Sequence, residues 1–111
     1  MPVVRRSSEM QTRSGPGWTE VVCADSDTFG VPVPMKARRY LLDPAATGPR
    51  IRIAATEAMT YVAAGSGTAA VGAEQFGLEP ESMLWLGQAQ ELTLTAGPDG
   101  LDVLVAQSEG V

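Results

Sequence analysis

Apolar residues in this chain come in short runs, some alternating with polar positions and some continuous, and clusters of turn-forming residues separate them. The runs are WTEVVCA (18–24), MKARRYLL (35–42), RIRIAA (50–55), AMTYVAA (58–64), GTAAVG (67–72), EQFGL (74–78), SMLWL (82–86), ELTLTA (91–96) and LDVLVAQ (101–107). Between them stand SDTFGVPVP, DPAATGP, GSG, EPES and AGPDG. Their spacing, about 8 to 12 residues, is the rhythm of an all-β sandwich or barrel. In ELTLTA, Leu92 and Leu94 fall on one face and Thr93 and Thr95 on the other, so the strand has an apolar and a polar side. No stretch sustains a 3.6-residue period over three turns. AATEAMTYVAA holds good helix formers, yet RIRI before it and Gly-Ser-Gly after it predict a strand there as well. Residues 1–17, MPVVRRSSEMQTRSGPG, are polar and close on Gly-Pro-Gly, which predicts a flexible N-terminal arm ahead of a single β domain over 18–111.

Composition narrows the chemistry. A chain of 111 residues makes one domain that buries about two thirds of its unfolded surface. The net charge of −5 disfavours nucleic acid, whose phosphates need a concentrated basic face. No segment offers the roughly 20 apolar residues of a membrane crossing, and Arg5 and Arg6 precede polar residues where a secretory signal has an apolar stretch. A cytoplasmic protein without nucleic-acid or membrane partners is expected. There is no histidine and one cysteine, Cys23. That excludes Ser-His-Asp and Cys-His catalysis and an internal disulfide, and leaves a transition metal without its usual ligands. The carboxylates Asp25, Asp27, Glu57, Glu74, Glu79, Glu81 and Glu91 follow no DxDxDG spacing, and GSGTAAVG lacks the lysine and helix of a phosphate loop. No metal and no cofactor is expected. Cys23, preceded by two valines, reads as a buried, inert thiol.

From about Arg38 to the C-terminus, the order of features carries a resemblance. TYVAAGSGTAAVG (60–72) is similar to the hairpin that closes the first motif of the cupin superfamily. FGLEPESMLWLGQAQEL (76–92) stands where the second motif's loop and strand belong, and LDVLVAQSEG resembles the last strand. The resemblance implies a double-stranded β-helix or jelly-roll barrel. It places the first motif's two histidines on Arg52 and Ala54 and its glutamate on Ala58, one past Glu57. In the second motif it places a glycine on Glu81, a proline on Gly87, a glycine on Ala89 and the last histidine on Leu92. None of the metal ligands is kept, so the family's metal-dependent dioxygenase chemistry does not follow. In this alignment Arg52 faces inward. A shift by one residue turns it out and brings Ile51, Ile53, Glu57, Met59 and Tyr61 in, and both registers remain open.

The resemblance implies a metal-independent barrel carrying out acid/base chemistry (isomerisation, cyclisation or dehydration) on a small, fairly apolar metabolite, similar to tailoring enzymes of natural-product pathways. Glu57 and Glu91 are the candidate acid/base pair and Arg52 the electrostatic anchor. Tyr61 and Gln90 are the orienting partners, with Trp85, Met59 and Met83 as the wall of the site. Each has a plainer reading: solvated strand positions for Arg50 and Arg52, surface carboxylates for the glutamates, core for Trp85. Arg38, Arg39 and Tyr40 reach either a pocket mouth or a subunit interface. The alternative is a non-catalytic small-molecule-binding or dimerisation module. Its interior is filled by Leu, Val and Ala, where an enzyme has an open cavity with a carboxylate. Edge strands that need covering predict a homodimer with the N-terminal arm crossing over.

Overall fold

Residues 11–24, 35–53 and 57–108 are described in a computed structural model, and all of their regular structure is strand. The elements are β1 (Thr12–Gly15), β2 (Trp18–Ala24), β3 (Met35–Leu42), β4 (Thr47–Arg52), β5 (Glu57–Val71), β6 (Glu74–Leu78), β7 (Met83–Gly87) and β8 (Glu91–Ser108). Five of the runs singled out above are separate strands at or near their expected bounds. The other four are halves: AMTYVAA and GTAAVG make up β5, and ELTLTA and LDVLVAQ make up β8. The clusters GSG and AGPDG are therefore bends inside continuous strands. Register slips between Val62 and Ala64 and between Gly65 and Gly67 mark the bend in β5. Gly65 has φ 82°, and a Cβ there would collide with the carbonyl oxygen of Gly100 on β8, so only glycine fits this crossing.

Because β5 and β8 bend together, both pass from one layer of the barrel into the other. The first layer runs β1, β2, β3, the second half of β8, the first half of β5, then β7. The second runs β4, the first half of β8, the second half of β5, then β6. All pairings are antiparallel. The facing sides share one core, with Tyr40, Val62, Leu86, Val103 and Val105 from the first layer and Ile51, Ile53, Ala69, Leu92 and Leu94 from the second. Alternation written into ELTLTA by its leucines and threonines is kept: the leucines are buried and the threonines point out.

The region assigned to a flexible arm is partly sheet. Residues 12–15 pair with 18–21, and the Gly-Pro-Gly is a hairpin turn with Gly17 at φ 76°. TRSG was not legible as a strand because an edge strand with three exposed residues has no buried side to mark it. Residues 1–10 lie outside the described residues.

Candidate functional site

Strand register decides where each candidate side chain points. β4 and β8 pair Ile51 with Leu92 and Arg52 with Glu91. Leu92 is completely buried, so Ile51 faces inward with it, and Arg52 is exposed like Arg50. The expectation of Arg52 as an interior anchor is corrected by this pairing. Neither of the two registers considered holds throughout. Ile51 and Ile53 are buried, but so are Ala58, Thr60 and Val62, while Glu57, Met59 and Tyr61 are exposed. The alternation changes phase between Ile53 and Ala58.

The candidates collect in two outer groups. Glu91 stands 3.5 Å from Arg50 Nε in an exposed ion pair, and with Gln90 and Arg50 it borders an outer cleft of about 530 Å³. Gln90 Oε1 accepts the Gly87 N–H at 2.7 Å and so closes the β7–β8 turn. On the other layer, Trp85 Nε1 donates to Glu57 Oε2 at 3.2 Å; Trp85 pairs across the strands with Met59, as Met83 does with Tyr61. Glu57 and Glu91 stand on different layers and do not meet. Cys23 is half-buried, its thiol aimed at the Val21 carbonyl at 3.6 Å, and burial pushes its pKa up.

Polar groups reach the interior elsewhere, along the inner face of the first layer. Glu20 is 7% exposed, and its Oε2 accepts the Tyr40 hydroxyl at 2.7 Å and Arg13 Nη2 at 3.3 Å. Burial first, and then that hydrogen bond to a carboxylate, raise the Tyr40 phenol well above its ordinary pKa. Arg38 precedes Tyr40 by two residues and shares its face of β3. With Val22, Glu20, Arg13 and neighbouring β1 residues it lines a cleft of about 450 Å³. Arg13, Arg39 and Arg50 each pair with a carboxylate, whereas Arg38 makes no ion pair among the described residues.

Further along that face, Thr60 Oγ1 and Gln107 Oε1 are buried with no hydrogen-bond partner among the described residues. Thr60 lies opposite Val105, which lies opposite Arg38, and Gln107 lies opposite Ala58. Thr60 is 0% and Gln107 6% exposed. Each such orphan costs about 1–3 kcal/mol. Sequence reasoning missed Glu20, Thr60 and Gln107. Their signal was a polar residue on the apolar phase of a strand: Glu20 shares its face with Trp18 and Val22, and Gln107 shares its face with Val103 and Val105.

Two layers joined by a pair of long shared strands, closed over one aliphatic core, make this a cupin-type β-barrel. No protein-family model matches the chain, and no curated protein is similar to it in sequence. Among solved structures, KdgF from Halomonas sp. superposes with a TM-score of 0.73 at 17% identity, over 98% of this chain and 96% of that one. Oxalate decarboxylase of Bacillus subtilis superposes at 0.80 and 14%, over 94% of this chain and 28% of that one. Salicylate 1,2-dioxygenase from Pseudoaminobacter salicylatoxidans, in complex with gentisate, gives 0.71 and 18%, over 85% and 26%. The chain thus spans nearly all of KdgF and about a quarter of the other two. At these identities the likeness establishes the cupin fold.

Mn(II) centres are described for the Bacillus decarboxylase. The residues here do not fit such a centre. The chain has no histidine. Of the positions where the resemblance puts ligands, Ala58 and Leu92 are buried and apolar, Arg52 is exposed, and Ala54 lies outside the described residues. Ile51 and Ile53 fill the adjoining interior, and no three His, Cys, Asp or Glu side chains cluster among the described residues.

Proposed function

We propose that the barrel binds a small molecule carrying a carboxylate or carbonyl group on an apolar body, and that Glu20 and Tyr40 move protons on it. The observation that carries this reading is the pair of buried atoms Thr60 Oγ1 and Gln107 Oε1, without a hydrogen-bond partner among the described residues, in an otherwise aliphatic interior. Folded proteins rarely keep such groups, and a ligand that hydrogen-bonds to them recovers the energy of their burial. Arg38 on the same inner face supplies a cation for the carboxylate or carbonyl oxygen. Val22, which lines the cleft with Arg38 and Glu20, gives the apolar body its wall. Glu20 is the base, and Tyr40, kept neutral by its surroundings, is the hydroxyl that holds and returns a proton. The acid/base class implied by the cupin resemblance (isomerisation, cyclisation or dehydration) then rests on Glu20, with Glu57 and Glu91 left to the outer faces.

The test is an NMR titration of isotope-labelled protein with a panel of small apolar keto acids. Saturable shifts at Thr60, Val105 and Gln107 are expected, with affinity weakened about tenfold, or 1.4 kcal/mol, in Arg38→Met and in Gln107→Leu. Glu20→Gln is expected to keep binding and to lose catalysed exchange of the ligand's α-hydrogens with deuterated water. Shifts confined to the outer cleft at Arg50, Gln90 and Glu91, or unchanged affinity in both binding variants, would overturn the reading.

A further inference from the structure

A second cation shares the inner face of the first layer with Arg38. Strand pairing sets Arg38 beside Val105 and, one strand further, Thr60; two residues earlier on β3 it sets Lys36 beside Gln107. Val105 and Gln107 are buried, so the two β3 side chains opposite them, both half-buried, point to the same inner side. The chain has 13 Asp and Glu against 8 Lys and Arg, so carboxylates are plentiful. None among the described residues forms an ion pair with Lys36 or Arg38. Glu20, the carboxylate on the adjoining row of this face, is held by Arg13 and the Tyr40 hydroxyl. Two cations therefore stand side by side on a half-buried face without a counter-charge among the described residues.

We propose that the ligand of the barrel is a dianion, a small oxo-dicarboxylate with one acid end on Arg38 and the other on Lys36, and that Lys36 is the residue that selects it over monoacids. This rests on the reading of Arg38 as the carboxylate or carbonyl anchor and adds the second acid group. Residues two apart on a strand stand about 6.6 Å from each other. Like charges at that spacing lie within the roughly 10 Å screening length of 0.1 M salt, and partial burial screens them less. They repel, and an occupant with one negative charge for each removes the repulsion. The neighbouring polar group does not serve: Gln107 Oε1 only accepts hydrogen bonds, so it cannot hold a carboxylate oxygen, whereas the Lys36 ammonium has three donors. The spacing also sets the length, that of an extended adipic chain. Its apolar middle turns to the aliphatic side of the face, where Leu84 and Leu86 of β7 pair with Thr60 and Ala58.

Calorimetric titration of the full chain with 2-oxohexanoate and 2-oxoadipate tests this, since the two differ only by a carboxylate in place of the terminal methyl group. 2-Oxoadipate is expected to bind about tenfold tighter, or 1.4 kcal/mol, and added salt is expected to narrow the gap. Lys36→Met is expected to bring the two affinities together, and Lys36→Arg to keep them apart. If Lys36→Met loses its strand signal in circular dichroism, Lys36→Gln gives the same comparison. Equal affinities in the wild type, or a preference for the diacid that survives both Lys36→Met and Lys36→Gln, overturn the role of Lys36 while 2-oxohexanoate still reports on Arg38. Binding of neither compound overturns both this inference and the reading beneath it.

Discussion

Thr60 stands where a valine would serve the fold better. Its neighbours on the inner face are Val62 and Val105, its hydroxyl has no partner among the described residues, and the side chain is fully buried. Thr60→Val keeps the shape and removes the orphaned hydroxyl. The ligand-free protein should therefore gain about 1 kcal/mol in urea unfolding, while affinity for the proposed ligand falls. A loss of stability instead would show that the hydroxyl is satisfied in solution. At this scale the sequence was legible wherever a strand has one polar side. It predicted Leu92 and Leu94 inside with Thr93 and Thr95 outside, and the structure agrees. Reading failed over Ile51 to Val62. There the phase of alternation switches between two strands, and the residues on both sides of the second strand are largely apolar, so Met59 and Tyr61 carry no mark of facing outward.

At the scale of elements, the strands themselves were evident from the turn clusters, but the continuity of β5 and β8 was not. Gly-Ser-Gly and Gly-Pro-Asp-Gly read locally as chain reversals. In the fold they are bends, because each strand continues its pairing on the far side of the glycine. The glycine at the bend is under a stricter demand than those in ordinary turns. Gly65→Ala places a Cβ against the Gly100 carbonyl in a backbone region that disfavours it, and should cost about 2 kcal/mol or more. Gly77→Ala is the control. A Cβ there meets nothing within 4 Å, and its urea midpoint should stay close to that of the wild type. Equal midpoints for the two variants would mean that the bend relaxes easily and that the close crossing is not a constraint.

For the whole molecule, the cupin resemblance from about Arg38 to the C-terminus anticipated the fold. The proposed site was another matter. It depends on which buried polar atoms lack partners, and that is a property of packing that no single strand displays. One global consequence concerns pH. The Tyr40 phenol, ordinarily near 10, is raised in the folded protein, chiefly by burial and then by the Glu20 carboxylate. The unfolded chain thus gives up this proton first. The contribution to stability is complete below about pH 10 and is lost as pH climbs above it. The thermal midpoint of the wild type should decline from pH 10 upward, and Tyr40→Phe should flatten that decline. Parallel curves would remove Tyr40 as the cause.

The long strands common to both layers also govern how the chain comes together. Ala58 finds Gln107 and Val71 finds Leu92 on the same two strands. Neither layer can close before segments distant in sequence have met, and the loop entropy must be spent before the contacts reward it. Folding is therefore expected to be slow, and unfolding to follow one cooperative transition in which both layers are lost together.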